Sequence, residues 1–540
     1  MRMEINYKNV DLDIYVNCKK IDYDINKDID IDFVRDSFNG AVGELSVKHH
    51  SLDYWLMRLS ERNTLVNNLF LDICKILLIE SIIYKYKEVS VYTNNVSVYL
   101  YFKDSARISF KSKFLFILKK LSSEYKPYLQ VLKFIYYQVI FHIKYADKQF
   151  VKCLTGSIII QTWVSDSNFK NDDFKDTYYF DLTKYLKHND KKVFTWPIFY
   201  NVKYKKKAVE FLRQKSTQFL LLEDYLRFSD YFVVCKSFFN KRLLKLGSIN
   251  IIKSDVSTIF KFYQKKESVE YVSLFYQFTK RLAFLDNQSI KFIQNHENMI
   301  SEKSLILGVR KYLKNSKVMG YFHTTKPKNI LCLDFANEKE YKIAPKPDSI
   351  IFNSEKYLHI FKYKYSNIPM HNGIAFKQLH LKNTHLKNAT KTDSVLVLFS
   401  GTNDEIELMF SLLKNVSTEN NFLFRMHPMN QFDVSKYSPM KNYSIVNDQS
   451  LDVSLSKVKK IISTYSAVAL ESALKGLTVG LIYNKKKLIL NPFDHTGISN
   501  YRLISNSDQL EVFLNSSFVC VEVEQIFNLD DKYYEIFLNI

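Results

Sequence analysis

Between Ser394 and Tyr483 the chain repeats one pattern three times: an apolar run, a polar tip, then a turn or helix. Val395–Phe399 runs into Ser400-Gly401-Thr402, and Phe422–Met426 runs into His427-Pro428. Lys460–Ser463 runs into Thr464-Tyr465-Ser466 and an apolar helix that carries Glu471 and ends at Gly476. Short apolar runs separated by helices leave few folds open. Strand, helix and strand in succession close into a parallel sheet with right-handed crossovers. Parallel strands end at one edge, and open α/β sheets bind ligands in the crevice outside that carboxyl edge. The three tips are expected to face one such crevice.

The residues at the tips suit a phosphate-bearing ligand. Pro428 ends its strand, since it lacks an N–H and disfavours helix for its predecessor, and so holds His427 at the sheet edge. An imidazole there can donate to a phosphate oxygen or protonate a leaving group near neutral pH. Arg425 adds a permanent charge and a planar fork if its side chain reaches the crevice. Ser463, Thr464 and Ser466 either cap the following helix in the ordinary way or present hydroxyls and free N–H groups to an anion. Glu471, further into that helix, is either a surface glutamate or an acceptor for both ribose hydroxyls of a nucleotide. Gly401 lets backbone approach a phosphate closely.

A second α/β half is expected upstream. Ser157–Trp163 reads as a buried strand, followed by a polar loop with Asp172, Asp173 and Asp176, a helix near Leu182–His188 and a strand near Lys192–Ile198. Helices are expected at Ala208–Lys215, over 266–287, and from Glu297-Asn298-Met299 to about Lys314, with strands at Ser289–Gln294 and Lys317–Phe322. Prolines at 327, 345 and 347 punctuate the chain, placing an interdomain linker between about 325 and 347. The domains expected are thus 1–330, with a helical insertion near 105–150, and 345–540, its last helix near Asp530–Asn539 packing back across the linker. The fold class is α/β, two Rossmann-like domains facing a cleft, with an elaborated N-terminus. At 540 residues the chain is too long for one core.

The formal net charge of +21 favours polyanions. No paired Cys/His spacing, RNA-recognition signature or tandem repeat accompanies it, so nucleic acid is not expected as a partner. The lysines form either a solvated face or a surface for an anionic membrane. Tyr128–Ile143, which follows the basic stretch Arg107–Lys126, is either a core helix of the first domain or a helix lying on an anionic leaflet. No window of 18 uncharged apolar residues predicts a membrane span. Met1–Asn6 lacks the apolar core of a signal peptide. Six dispersed cysteines read as buried thiols of a reducing cytosol, and a cytoplasmic chain, peripheral to the membrane's inner face, is expected. Phosphate-loop and dinucleotide glycine patterns are absent.

The ordered set Ser-Gly-Thr, Arg-x-His-Pro, and Ser-Thr-x-Ser with a helical Glu resembles the donor-binding half of GT-B glycosyltransferases. It is most similar to bacterial sialyltransferases, polysialyltransferases and Kdo transferases, whose His-Pro and Ser/Thr motifs engage the phosphate of a CMP-sugar. Upstream, Glu61-Arg62-Asn63, Phe174-x-Asp176-x-Tyr178-Tyr179-Phe180, Glu297-Asn298…Glu302 and Gly320-Tyr321-Phe322-His323-Thr324 resemble landmarks of surface-carbohydrate biosynthesis proteins. The resemblance covers roughly 50–485. It implies a metal-independent transferase with no cofactor. It would move Kdo or a sialic-acid-like sugar from a CMP-linked donor to a capsule, O-antigen or lipopolysaccharide acceptor, with Gly401, Arg425, His427, Pro428, Ser463, Thr464, Ser466 and Glu471 at the donor. A CDP-glycerol or CDP-ribitol phosphotransferase of teichoic-acid type shares these landmarks, and a non-catalytic glycan- or membrane-binding scaffold would retain them.

The acidic-acidic-Gly motif that supplies the sialyltransferase base is missing; Glu223-Asp224-Tyr225 and Asp404-Glu405-Ile406 are partial echoes. A sugar hydroxyl must still lose its proton as it attacks. Glu297, just past the strand Ser289–Gln294, is the first candidate. Asp176 is the second and Glu302, one turn into the helix, the third. Asp172, Asp173 and Asp176 imitate a D-x-D metal site but read as a solvated loop.

Overall fold

A computed structural model describes residues 11–170, 173–215, 218–285, 289–365, 367–382, 392–416, 420–428, 430–437, 442–517 and 525–539. The chain opens with a small sheet. Its strands β1 (Leu12–Val16) and β2 (Val89–Thr93) pair antiparallel, and β3 (Ile108–Phe110) adds parallel to β2. Helices α1 (Ile31–His49) and α2 (Leu69–Lys85) lie between its first two strands. A 33-residue helix, α3 (Lys113–Tyr145), follows.

The first large sheet contains β4 (Ile158–Ser165), β5 (Val193–Asn201), β6 (Lys291–Asn295), β7 (Lys317–Phe322), β8 (Ser349–Phe352) and β9 (Met370–Asn372). All pairs are parallel, in the order β9-β8-β7-β6-β4-β5. Parallel strands buried on both faces read as continuous apolar runs. Along β4, Ile159 enters one apolar cluster while Ile158 and Ile160 enter another on the opposite face. Helices α4 (Phe228–Leu243), α5 (Leu274–Ala283) and α6 (Ile300–Tyr312) lie in the long excursion from β5 and the crossover after β6. Helix α4 is not among the helices expected from the sequence; Asp230 closes its first turn by accepting from the Arg227 N–H at 2.8 Å.

The second sheet holds β10 (Thr392–Leu398), β11 (Phe422–Arg425), β12 (Tyr443–Ile445), β13 (Val458–Ser463), β14 (Thr478–Ile482) and β15 (Tyr501–Ile504). It is also wholly parallel, in the order β12-β11-β10-β13-β14-β15. Helix α7 (Asn403–Leu413) follows β10, and α8 (Ala467–Leu474) follows β13. The expected α/β class with two Rossmann-like sheets is what forms.

The expected boundary at 325–347 is corrected. That stretch stays inside the first unit: β8 pairs in register with β7 and β9 with β8, burying Ile350, Ile351 and Phe352. Parallel pairing, not proline, decides membership. The chain leaves the first sheet after Asn372 through the 3-10 turn Phe376–Leu381 and enters the second at Thr392. The C-terminal turn Asp531–Phe537 returns to the first sheet, where Phe537 packs on Tyr321 and Phe376. One apolar cluster runs from the N-terminal sheet through Phe352 to Leu396 and Leu481, so the two units share a packed seam.

Other expectations shift locally. Residues 88–102 are strand and then helix Val96–Tyr101, and the helix expected over 266–287 begins only at Leu274, after a 3-10 turn. Cys74, Cys235 and Cys332 are buried as free thiols, but Cys18 and Cys153 are exposed; Cys520 lies outside the described residues. The core-helix reading of Tyr128–Ile143 holds for one face, where Val131, Phe134, Val139 and Phe141 pack on the first unit, and fails for the other, where Leu132, Tyr136 and Ile143 are exposed.

Glu61-Arg62-Asn63 proves structural. Arg62 adopts left-handed backbone at φ 54°, and its fully buried guanidinium lies 3.5 Å from Glu340 while donating to Asn39. Glu340 accepts from Ser46 and from the Ala336 N–H. Breaking a buried pair strands one charge, at a cost of about 3–5 kcal/mol. Arg62→Met is therefore expected to destabilise the first unit by that amount in denaturant unfolding, and Arg62→Met with Glu340→Leu by less than either single change.

Candidate functional site

In both sheets the strand order reverses at one point, and ligands bind there in folds of this kind. In the second sheet the reversal lies between β10 and β13. Leu398 is in register with Arg425 on one side and Ser463 on the other, so the three tips end level. Gly401 lies beneath His427: a Cβ added to it would come 3.2 Å from Nδ1. Asn430 fixes this pair, donating to the carbonyls of Gly401 through its side chain and of His427 through its N–H. His427 and Pro428 are exposed at the edge.

The Ser/Thr tip opens α8. Ser466 caps the helix by accepting from the Ala469 N–H, and its hydroxyl lies 3.3 Å from that of Ser463. Thr464 donates to Glu405 on α7. Glu405, from the second acidic echo, thus braces the donor-side loop. Arg425 departs from expectation. Its Nη1 donates to the carbonyls of Val446 and Gln449, tying down the loop after β12. That donor is spent on backbone and not on the crevice. Glu471 lies at the seam, 3.2 Å from His380 of the 3-10 turn that leaves the first sheet. The carboxylate hydrogen bond raises the His380 pKa, so the pair favours its charged form.

In the first sheet the reversal lies between β4 and β6. Glu297 sits just past the end of β6, as expected. Its position is fixed by Glu302, whose two oxygens accept the N–H groups of Glu297 and Asn298 at 2.8 Å each. Asn298 takes left-handed backbone at φ 56°, which asparagine tolerates better than most residues. Glu302 is therefore a clamp for the loop and not a free base. Asp176 is likewise committed. Its Oδ1 accepts from the N–H groups of Tyr178 and Tyr179 and from Thr162, while Oδ2 is buried without a partner. Asp173 is exposed beside Lys215, and Asp172 lies outside the described residues.

Lys377 and His323 complete this side, and neither had been singled out as a site residue. Lys377 stands 4.1 Å over the Tyr178 ring, in the field of Glu297, Asp176 and Glu471. Carboxylates of both units thus act on its charge. Burial lowers its pKa, while those carboxylates oppose the shift. His323 lies 3.5 Å from Glu297, and burial holds its imidazole neutral. Burial and then the Glu302 charge raise the Glu297 carboxyl above the usual range. A carboxylate tuned towards neutrality and about a quarter exposed is equipped to accept a proton. No sequence pattern marks Lys377, which reaches the cleft only because the turn 376–381 crosses between the units.

A cavity of about 380 Å³ lies at the carboxyl ends of β4 and β5, lined also by Met299, Ile300 and Ser301 of the segment that follows Glu297. Arg58, Trp163, Tyr200, Glu223 and Tyr271 line it, and the N-terminus of α6 opens into it at Ser301. Glu223, from the first acidic echo, is pushed up to about 7 by burial and accepts from the Tyr271 hydroxyl at 3.0 Å. Its neighbour Asp224 is instead locked to Arg213 at 2.6 Å.

Three solved structures illustrate what the chain is similar to. No family model and no curated sequence matches it. A glycotransferase of kitacinnamycin is 8% identical with a TM-score of 0.38, covering 67% of this chain and 90% of that one. The UDP-GlcNAc 2-epimerase from Methanocaldococcus jannaschii is 9% identical at 0.39, covering 71% and 98%. The wall teichoic acid polymerase TagF is 11% identical at 0.30, covering 77% and 90%. Likeness of this size decides nothing about function, and the fold stands on the sheet topology above.

The contact between Gly401 and His427 is testable. A valine at 401 must push the imidazole aside. Gly401→Val is therefore expected to shift the His427 ring resonances in NMR while leaving those of the distant histidines and the melting temperature unchanged.

Proposed function

We propose that the protein is a glycosyltransferase that moves a sugar, Kdo or one like sialic acid, from a CMP-linked donor to a surface glycan held near an anionic membrane. The observation that supports this reading is a single turn running between two switch points. Gly401, His427 and Ser463–Ser466 end level at one, Glu297 lies at the other, and the turn Phe376–Leu381 between the sheets sets Lys377 over Tyr178 and His380 against Glu471. In this reading the donor phosphate lies at the N-terminus of α8, with Ser463, Ser466 and His427 as hydrogen-bond partners. The acceptor saccharide occupies the cavity at the carboxyl ends of β4 and β5, where Trp163 and Tyr200 offer faces to sugar rings and Glu223 offers a hydroxyl partner.

The acceptor oxygen attacks the anomeric carbon and its proton passes to Glu297. The bond to the phosphate oxygen breaks, the electron pair leaves with CMP, and His427 with the α8 dipole stabilises the departing charge. Lys377 favours the ionised form of Glu297.

A general base of this kind contributes about 10²–10⁴-fold, and Glu297→Gln is expected to lower kcat by that factor while leaving CMP binding intact. Because the Glu297 pKa is raised, activity should climb with pH through a midpoint above the ordinary carboxylate range. Lys377→Met removes a cation that favours the carboxylate, so the midpoint should move further up. A rate independent of pH in that limb would remove Glu297 from the role.

Donor class is read from thermal stabilisation, since a ligand that binds only the folded state must raise the melting temperature. CMP and CDP are expected to stabilise, and UDP and GDP to have no effect. Turnover of CDP-glycerol without sugar transfer would replace this reading with a phosphotransferase. His427→Ala with full activity in cells would point to a scaffold.

A further inference from the structure

Helix α3 turns an apolar face outward. Phe114, Leu118, Leu121, Tyr125, Leu132 and Tyr136 are each 45% to 69% exposed. Their spacings of three, four and seven place them on one stripe of a 3.6-residue helix. At 33 residues the helix is about 50 Å long. Lysines border the stripe on both sides: Lys119, Lys126, Lys133 and Lys144 on one flank, Lys113 and Lys120 on the other. Glu124 is its one acidic residue.

A second stripe lies alongside. Helix α4 packs antiparallel on α3, with Phe228 against His142 at one end and Phe239 near Tyr128 at the other. It exposes Phe228, Phe232, Phe239 and Leu243, between 45% and 77%. The pair is held by Val131, Cys235 and Phe238, so its apolar contacts are already met on the inner side. What remains outside is a continuous apolar strip edged by ammonium groups.

We infer that α3 and α4 form the surface by which the protein lies on an anionic lipid bilayer. An apolar stripe flanked by lysines matches acyl chains below and anionic headgroups beside them. A second copy of the chain fits poorly. A two-fold contact sets the same patch against itself, opposing lysine rows with one glutamate per helix to offset them. Among the described residues no helix is long and apolar enough to cross a membrane, so the helices lie in the surface plane. Gln138 and Phe141 of α3 line the cavity at the carboxyl ends of β4 and β5. Docked in this way, the protein brings that cavity to the headgroups, and on the transferase reading the acceptor is a lipid-linked saccharide.

The test is flotation of the full chain with vesicles of phosphatidylcholine alone or with about 30% phosphatidylglycerol. Binding is expected only with the anionic lipid, and weaker as salt rises. Leu118→Ser with Leu132→Ser and Phe232→Ser should reduce it at least about tenfold. Glutamine at Lys119, Lys126 and Lys133 should reduce it about fivefold per residue. Circular dichroism and CMP stabilisation should stay unchanged in both variants. Failure of the parent protein to float at low salt overturns the proposal. So does an oligomer in sedimentation that the serine variants dissociate, which would assign the strip to a second copy. Flotation needs no catalysis, so its failure leaves the transferase reading standing, and nucleotides that fail to stabilise the protein leave this proposal standing.

Discussion

Parallel pairing is the constraint on which the rest of the molecule depends. A parallel strand can be followed by its neighbour only after the chain has crossed back to the starting end. Twelve strands in two such sheets therefore deliver their polar loops to two edges and nowhere else. Where the order reverses, two adjacent loops diverge to opposite faces and leave an opening. Glu297 borders one of these openings, and Gly401 with Ser463 borders the other. The chemistry gathers where the topology leaves room for it.

Charge marks the turn that runs between the two openings. Lys377 sits on the segment that passes from one unit to the other, among carboxylates of both. An ammonium partly removed from water needs such partners, and the carboxylates need it. The His380–Glu471 contact repeats the arrangement one turn away. Much of the polar network around the site serves position instead. Glu302 clamps the Glu297 loop, Asp176 closes the turn beneath Tyr178, and Arg425 ties the loop after β12. Each had been a candidate for direct contact. Isolated in the sequence, a residue that touches substrate and a residue that aims another look alike, because both are polar residues at strand ends.

The same ambiguity governs the helices and the boundary between units. The outer apolar face of α3 has the spacing of a core helix, and only the absence of a covering element among the described residues shows that it faces outward. The prolines at 345 and 347 read as a linker, yet the strands that follow complete the first sheet. Proline reports local backbone, whereas sheet membership is settled by hydrogen bonds to residues about thirty positions away.

By itself the sequence determined the two α/β halves, the strands that carry His427 and Ser463, and the placement of Glu297 at a carboxyl edge. These follow from periodicity and turn chemistry, which act over a few residues. Tertiary structure decided which carboxylates are free, which lysine faces them, where the chain passes between the units, and which apolar stripe is left uncovered. Those depend on contacts between residues distant in the chain, and burial and charge at a site are properties of everything that surrounds it.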